Sequence, residues 1–234
     1  KDPKKIIEKI NYVTMDIRSK EIESLLNKVK PKIIVHLAAQ ASVAISSRDP
    51  QLDNDINLNG SLNLFLNTIS SGLNKFIFFS TGGAIYGEKI GKKFNENDFP
   101  KPLSPYGISK LNFENYLNYF SSQKISKSEI TILRPSNIYG PWQNPNGEAG
   151  VVSIFANKML KNENVSIFGT GKEYRDYIYV DDVIDFIFQV LNLGVTGTYN
   201  LSSGISTKTI EIFNNISKIL DYKKSPSFDV KREG

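Results

Sequence analysis

The chain has 234 residues, with 29 basic and 24 acidic side chains and a formal net charge of +5. Most of the positive charge is carried by dispersed lysines, so we expect a solvated surface and no nucleic-acid partner. With 40% hydrophobic and 23% charged residues, the composition excludes disordered and fibrous classes. The length suits one large domain or two unequal lobes.

Missing residue types exclude several kinds of site. The absence of cysteine excludes disulfides, thiolate catalysis and sulfur-ligated metals, and a single histidine cannot build a poly-histidine site. We therefore expect no metal. No apolar run approaches the roughly 20 residues that cross a bilayer, so a cytoplasmic protein without a membrane partner is expected.

Up to Pro135, short β-branched runs alternate with longer helical patterns, which predicts βαβ units and a parallel sheet. On one of these helices, Leu58, Leu62 and Phe65 fall on a single stripe at helical spacing. The predicted elements in chain order are strand Asn11–Asp16, helix Lys20–Val29, strand Lys32–Leu37, helix Asp53–Ser70, strand Lys75–Ser80, helix Pro105–Ser122 and strand Ile130–Arg134.

A turn-rich stretch, Tyr139–Gly150, then introduces shorter elements. We predict a soft domain boundary near residue 140, between a larger domain over 1–140 and a smaller, partly interleaved lobe over 141–234. The predicted elements of this lobe are helix Val151–Lys161, strands Val165–Phe168 and Tyr174–Tyr179, and helices Val180–Leu193 and Ser206–Leu220.

The sharpest chemical signal is Tyr106 followed four residues later by Lys110, at a helix start just after Pro105. This spacing places both side chains on one helix face. An adjacent ammonium, with a cationic nicotinamide nearby, would stabilise a phenolate, and Tyr106 could then take a proton from a sugar hydroxyl. Alone, the pair would favour an exposed tyrosine and lysine one turn apart, which is a common arrangement on helix surfaces.

A second signal lies upstream, where a predicted strand ends in Ser80 and Thr81 and runs into Gly82 and Gly83. Hydroxyls that leave the carboxyl end of a parallel strand point into the crevice where ligands bind. Thr81 or Ser80 could therefore bridge the reacting oxygen and Tyr106, and we favour Thr81. A serine and threonine strand end before a glycine turn explains the same residues without a function.

Together with Leu133–Pro141, these segments resemble the extended short-chain dehydrogenase/reductase superfamily, in its NAD-dependent nucleotide-sugar epimerase and dehydratase branch. The resemblance covers essentially the whole chain. It implies a Rossmann-type, doubly wound α/β sheet whose larger domain binds NAD and a smaller lobe that binds a nucleotide sugar. It also implies a homodimer formed through the helices near Asp53–Ser70 and Pro105–Ser122.

The resemblance assigns residues to the NAD site. Asp16 and Ile17 match an adenine-contacting pair, the segment after the next strand supplies small residues for close approach, and Asn57 matches a helix asparagine that supports the active site. Ser136 would approach the nicotinamide. The expected cofactor residues are Asp16, Ile17, Leu37, Ala38, Ala39, Gln40, Asn57, Ser80, Tyr106, Lys110 and Ser136.

The resemblance also assigns substrate residues. Arg175 and Arg232 would grip the diphosphate, because a planar guanidinium offers forked donors to phosphate. Phe168 would line the base pocket, with core packing as an equal alternative. The expected substrate residues are Thr81, Asn137, Ser166, Phe168, Arg175 and Arg232.

Part of the family pattern has no counterpart in this chain. Family members begin with a strand that leads into a Gly-x-x-Gly-x-x-Gly turn, which binds the pyrophosphate, and nothing here matches it. We therefore expect a partial sequence that starts before the third strand and ends short of the family's usual end, and that neither binds NAD nor folds cooperatively alone. The choice between NAD and NADP stays open.

Gly82 and Gly83 stand where dehydratases of this branch carry an acidic pair. Without that pair, a tyrosine, a lysine and a hydroxyl suffice for reversible hydride transfer. The resemblance is therefore closest to UDP-glucose 4-epimerases, in which Tyr106 and Lys110, with Thr81, would be catalytic and a 4-keto sugar would form transiently. A nucleotide-sugar dehydratase or reductase, or a catalytically silent NAD-binding protein, remains as the alternative.

Overall fold

A computed structural model describes residues 10–87, 93–145 and 150–230 of the chain. Its helices are α1 (Ile22–Val29), α2 (Val43–Arg48), α3 (Pro50–Asn54), α4 (Ser61–Leu66), α5 (Gly82–Ile85), α6 (Pro105–Ser122), α7 (Val151–Leu160), α8 (Val180–Leu193) and α9 (Thr209–Leu220), with a π-helical turn at Asp55–Gly60. Its strands are β1 (Ile33–His36), β2 (Lys75–Phe79), β3 (Glu129–Pro135), β4 (Asn137–Tyr139), β5 (Ser166–Phe168), β6 (Tyr174–Tyr179), β7 (Gly197–Leu201), β8 (Ser206–Lys208) and β9 (Ser227–Asp229).

Four strands form one sheet in the order β1-β2-β3-β7, and every pairing in it is parallel. The segment KFIFF of β2 is apolar apart from its first residue, and all five of its residues are buried. A continuous apolar run of this kind is typical of a strand that is covered on both faces. β2 is therefore a central strand of the sheet.

Helices cover both faces of this sheet. Phe76 and Phe78 point to the face where they pack with Phe65 of α4 and Phe113 of α6, whereas Ile77 and its neighbours on the other face pack against α8. Alternate residues of a strand point to opposite faces, so one strand serves both layers. The predicted doubly wound Rossmann-type α/β fold is confirmed.

Residues after β3 form smaller sheets, with β4-β6-β8 in one and β5-β9 in the other. The core of this region joins α7, β5 and α9, and it includes Phe155, Met159, Ile167 and Phe213. β7, however, returns to pair with β3 in the first sheet. The division near residue 140 stays a prediction.

Several element predictions need correction. The strand predicted at Asn11–Asp16 is wrong, because no described strand lies beside these residues and a strand needs a ladder partner. The helix predicted from Ser206 begins only at Thr209, since Ser206–Lys208 pairs with β6 as β8. The helix predicted over Asp53–Ser70 is present but begins at Pro50 and ends at Leu66, and α3, the π-helical turn and α4 follow one another in it without a gap. Within the described residues, no helix is both long and apolar enough to span a membrane.

Candidate active site

The helix α6 brings the predicted tyrosine and lysine to the carboxyl ends of β2 and β3. Its start is fixed locally, because Ser104 at the N-cap accepts a hydrogen bond from the backbone N–H of Gly107 (3.2 Å) and Pro105 occupies the first turn. The helix therefore begins one residue before Tyr106. This places Tyr106 in its first turn and Lys110 in its second.

Two glycines allow α6 and the turn after Thr81 to lie unusually close to neighbouring backbone. A Cβ at Gly107 would lie 2.4 Å from the carbonyl oxygen of Ala84 in α5, and a Cβ at Gly82 would lie 2.8 Å from that of Arg134 in β3. Any side chain there would have to displace backbone. The glycine at position 82 is therefore required by packing, which leaves no room there for an acidic side chain.

Thr81 and Tyr106 meet at this edge of the sheet. The side chain of Thr81, at the end of β2, hydrogen bonds the phenol of Tyr106 and lowers its pKa. Burial has the larger effect and raises the pKa of Tyr106, and the negative charge of Asp53 raises it further. The surrounding residues thus hold the phenol protonated unless a positive charge arrives beside it.

Lys110 is buried, with only 3% of its surface exposed. Its ammonium lies 4.3 Å from the ring centroid of Phe78, in cation–π contact. Burial lowers the pKa of Lys110 to about 7, whereas the carboxylates of Glu114 and Asp53 act in the opposite direction. A lysine poised near neutral pH is unusual on a surface and typical of a functional site.

A buried carboxylate that the sequence analysis missed lies at the centre of the site. Asp53 accepts hydrogen bonds from Gln40 Nε2 (2.8 Å), Asn57 Nδ2 (2.9 Å) and Ser109 Oγ (2.6 Å). Asn57 also exchanges hydrogen bonds with the backbone of Gln40. The segment after β1, the π-helical turn and α6 are thereby joined around one carboxylate.

The residues expected to hold NAD frame the crevice at the carboxyl ends of β1 and β2. Leu37 and Ala38 are exposed beyond β1. Ser80 Oγ is buried and has no hydrogen-bond partner among the described residues. A buried hydroxyl normally has a partner, so this atom fits a polar group of a bound ligand. The residues present are thus compatible with a dinucleotide between β1, β2 and α6.

Asp16 and Ile17, expected at the adenine, lie in a turn next to the π-helical turn. The side chain of Arg18 donates to Asp16 through Nε (3.0 Å) and Nη2 (2.7 Å), and to Asp55 through Nη1 (2.8 Å). These bonds lower the pKa of Asp16 to about 2. Ile17 is anchored through its carbonyl, which accepts from Asn63 Nδ2 (2.8 Å). The carboxylate of Asp16 is therefore ionised and held in place.

Beyond β3, Asp176 of β6 holds Ser136 and Asn137. Ser136 Oγ donates to Asp176 Oδ1 (2.8 Å), and Asn137 Nδ2 donates to the carbonyl of Asp176 (2.9 Å). The same carboxylate oxygen accepts from the backbone N–H of Ser203 (2.9 Å). Asp176 lies directly after Arg175, which the resemblance assigns to the diphosphate, and this proximity was the only sequence signal for it.

The remaining substrate candidates lie farther from Tyr106 along the chain. Ser166 Oγ contacts the side chains of Ser227 and Asp229, which β9 brings beside β5. Phe168 is 40% exposed, so it is not a core residue. Arg175 is exposed, and its guanidinium donates to the carbonyl of Tyr174. Arg232 lies outside the described residues.

A doubly wound parallel sheet that presents a threonine hydroxyl, a tyrosine and a buried lysine at its carboxyl edge defines a class of dinucleotide-binding enzymes. Comparison with known proteins narrows this class. The chain belongs to the NAD dependent epimerase/dehydratase family, whose model matches residues 1–202.

Relatives and solved structures agree with this assignment. The chain is 35% identical to the UDP-glucose 4-epimerase of Mycolicibacterium smegmatis over 228 residues, which cover 97% of this chain and 72% of the relative. A crystal structure of Thermotoga maritima UDP-glucose 4-epimerase with UDP-glucose matches at 42% identity and a TM-score of 0.90, covering 98% of this chain and 74% of that one.

A third comparison concerns the cofactor. The structure of Thermus thermophilus UDP-glucose 4-epimerase in complex with NAD matches at 37% identity and a TM-score of 0.90, over 97% of this chain and 74% of that one. The predictions of an NAD-dependent enzyme, and of greatest likeness to UDP-glucose 4-epimerases, are confirmed.

Proposed function

We propose that the protein interconverts UDP-glucose and UDP-galactose, or their N-acetylated counterparts, by inverting carbon 4 of the sugar. The observation that carries this proposal is the contact of Thr81 with Tyr106 beside a buried Lys110, next to a turn where Gly82 excludes an acidic side chain. This set can move one proton to and from one hydroxyl. Elimination of water would need a further acid and base.

Tyr106 is the proposed base for the 4-hydroxyl. Thr81 orients the phenol and donates a hydrogen bond to its oxygen, which favours the phenolate. When bound, NAD supplies a reversible hydride acceptor and a positive charge beside Tyr106. Because the surrounding residues raise the pKa of the free phenol, we expect Tyr106 to become an effective base only when that charge is present. Lys110, when protonated, adds to the same effect.

The cofactor-binding roles follow the geometry of the β1 edge. Asp16 and Ile17 would bind the adenosine end, while Leu37, Ala38, Ala39 and Gln40 would line the path toward the nicotinamide. Asn57 supports this path by holding the backbone of Gln40. Ser80 would donate its unpartnered hydroxyl to the bound dinucleotide.

The substrate-binding roles fall mostly in the second lobe. Asn137 and Ser136 are fixed by Asp176, and Asn137 would hold a phosphate or sugar oxygen. Ser166 and Phe168 would contact the base. Arg175 and Arg232 would hold the diphosphate, because guanidinium groups bind phosphate oxygens in a forked geometry. Firm diphosphate contacts and loose sugar contacts would let the keto sugar rotate after the first hydride transfer, so that it accepts hydride on its other face.

The test uses the complete gene product that carries this sequence. UDP-galactose is supplied without added NAD, and formation of UDP-glucose is followed for the unmodified protein, for Tyr106→Phe and for Tyr116→Phe. Tyr116 lies exposed on the same helix and serves as the matched control. We expect conversion that is lost only in Tyr106→Phe. Release of a 4-keto or 6-deoxy sugar would instead indicate a dehydratase or reductase, and retained NAD binding without turnover of any nucleotide sugar would indicate a silent binding protein.

We also propose that two copies associate through α4 and α6. Leu66, Tyr116 and Tyr119 are 46%, 43% and 53% exposed on these helices, so apolar surface is available there. Sedimentation analysis should show a dimer that Tyr119→Glu dissociates and that Phe188→Glu, at an exposed aromatic residue of α8, leaves intact. We further propose a cytoplasmic location, which cell fractionation tests.

A further inference from the structure

Asp53 is a buried carboxylate that none of the proposed chemical steps uses. Its exposed surface is 0%, and its three hydrogen-bond donors, on Gln40, Asn57 and Ser109, are all uncharged. Transfer of an unpaired carboxylate into a protein interior is costly. A charge kept there without an ion-pair partner calls for a reason beyond packing.

The nearest charged groups belong to the active site. Ser109, which donates to Asp53 Oδ2 at 2.6 Å, lies on α6 between Tyr106 and Lys110. Asp53 acts electrostatically on both of these residues, raising the pKa of each. The carboxylate therefore lies close to the two groups whose protonation states the proposed reaction depends on.

Glu114, on the same helix, raises the pKa of Lys110 more than Asp53 does, but it forms a buried ion pair with Arg134 of β3 and is not among the groups that shift the pKa of Tyr106. His36 of β1 faces Lys110 with a pKa lowered to about 3 by burial and by the lysine itself, so it stays neutral. The ring of Phe78 of β2 contacts the Lys110 ammonium through its quadrupole and carries no net charge. Asp53 is thus the carboxylate near Lys110 for which no ion-pair partner is found among the described residues.

We propose that Asp53 is a positioning residue whose buried negative charge acts on the protonation of Tyr106 and Lys110 together, and so shifts the pH range of the reaction. The proposal rests on the proposed function only for its effect on turnover. The charge favours the ammonium form of Lys110 and opposes the phenolate form of Tyr106. Removal of the charge therefore lowers the pKa of both groups, so each of them loses its proton at a lower pH.

This shared direction distinguishes a charge effect from a loss of packing. A general loosening of the site would expose both side chains to water. Exposure would raise the pKa of Lys110 toward its usual value and lower that of Tyr106, so the two would move in opposite directions. Loss of the Asp53 charge lowers both.

The experiment titrates the two side chains directly in the complete, cofactor-bearing protein. Tyrosine labelled at Cζ and lysine labelled at Cε with carbon-13 report each midpoint by NMR, with Tyr106→Phe and Lys110→Met used to assign the signals. In Asp53→Asn we expect both midpoints to fall by at least about 0.5 pH unit, as expected for loss of a nearby buried charge. Both limbs of the pH profile of turnover should move to lower pH with them.

Asp55→Asn is the matched control. Asp55 lies two residues after Asp53, and its carboxylate is exposed and paired with Arg18, so this substitution removes the same charge from an exposed position. In this control we expect the titration midpoints of Tyr106 and Lys110 to equal those of the unmodified protein. If Asp53→Asn does not fold, Asp53→Ser removes the same charge and retains a hydrogen-bond acceptor. Unchanged midpoints, movement in opposite directions, or an equal shift in Asp55→Asn would overturn the proposal. The NMR titration needs no substrate, so failure of the proposed function would be seen separately as absence of turnover.

Discussion

The guanidinium of Arg134 donates hydrogen bonds to both carboxylate oxygens of Glu114. Its Nε lies 3.1 Å from Oε1 and 3.2 Å from Oε2, and its Nη2 lies 2.6 Å from Oε2. Both side chains are buried. Glu114 follows Lys110 by one helical turn, and Arg134 Nη1 also donates to Tyr86 Oη (2.7 Å). This pair therefore joins the catalytic helix to β3 and to the turn that follows Thr81.

Breaking this pair on one side should be strongly destabilising. Glu114→Gln or Arg134→Met leaves the partner's charge buried and unpaired, and we expect each to lower the free energy of unfolding by about 3–5 kcal/mol. Urea denaturation measures this. The double variant removes both charges and should cost clearly less than the sum of the single variants. Additive losses would show that the two residues act independently.

Thr81 and Ser80 should differ in their effect on the pH dependence of turnover. The Thr81 side chain lowers the pKa of Tyr106, so Thr81→Ala should raise that pKa and move the acidic limb of the turnover profile to higher pH. Turnover near neutral pH should fall by about 10–100-fold, the usual value of a hydrogen bond to a charged group. Ser80→Ala should weaken NAD binding and leave the acidic limb in place. A shift of that limb in Ser80→Ala would reverse the assignment of the catalytic hydroxyl.

The two glycines after Thr81 should respond differently to a methyl group. Gly82→Ala places a Cβ 2.8 Å from the carbonyl oxygen of Arg134, and the backbone must move to accept it. We expect a loss of about 1–3 kcal/mol, as in other overpacked sites, visible as a lower Tm. Gly83→Ala meets nothing within 4 Å and should be neutral or slightly stabilising. Equal effects on Tm would contradict this account of the turn.

His36 should make stability depend on pH below neutrality. Its ring is buried and its Nε2 lies 2.8 Å from Ser61 Oγ. Since Ser61 Oγ gives its only proton to the carbonyl of Asn57 (2.6 Å), Nε2 of the neutral ring must be the donor. Burial, reinforced by Lys110, lowers the pKa of His36 to about 3, from 6.5.

Between pH 6.5 and about 3, the unfolded chain binds a proton at this histidine that the folded protein does not. Stability is therefore complete above pH 6.5 and is lost as the pH falls through this window. We expect about 3 kcal/mol of loss by pH ~4 that is absent in His36→Gln, which keeps an N–H donor without titrating. Urea midpoints at several pH values measure it, and parallel curves for the two proteins would refute it.

Features encoded by neighbouring residues were predictable from the sequence. The bounds of α6 follow from Ser104, Pro105 and the residues behind them, and the structure reproduces Pro105–Ser122. The buried strands β2 and β3 follow from continuous apolar runs. The placement of Tyr106 beside Thr81 followed from the rule that strand ends of a parallel sheet share one edge.

Features that depend on distant pairing were not predictable. The bond between Ser109 and Asp53 joins residues 56 positions apart, and that between Ser136 and Asp176 joins residues 40 apart. A single serine or aspartate carries no local pattern that reveals such a partner. The π-helical turn at Asp55–Gly60 was missed for a related reason, because its apolar spacing still resembles a regular α-helix.

The return of β7 to the first sheet has a consequence for synthesis on the ribosome. β7 supplies the second neighbour of β3, yet it is translated long after Pro135. At ~5–20 residues per second, the intervening chain takes ~3–12 s to emerge. During that interval β3 is an open edge that can pair with another nascent chain. Ribosome pausing before Gly197 should therefore increase aggregation, whereas a pause late enough for β7 to have left the exit tunnel should not.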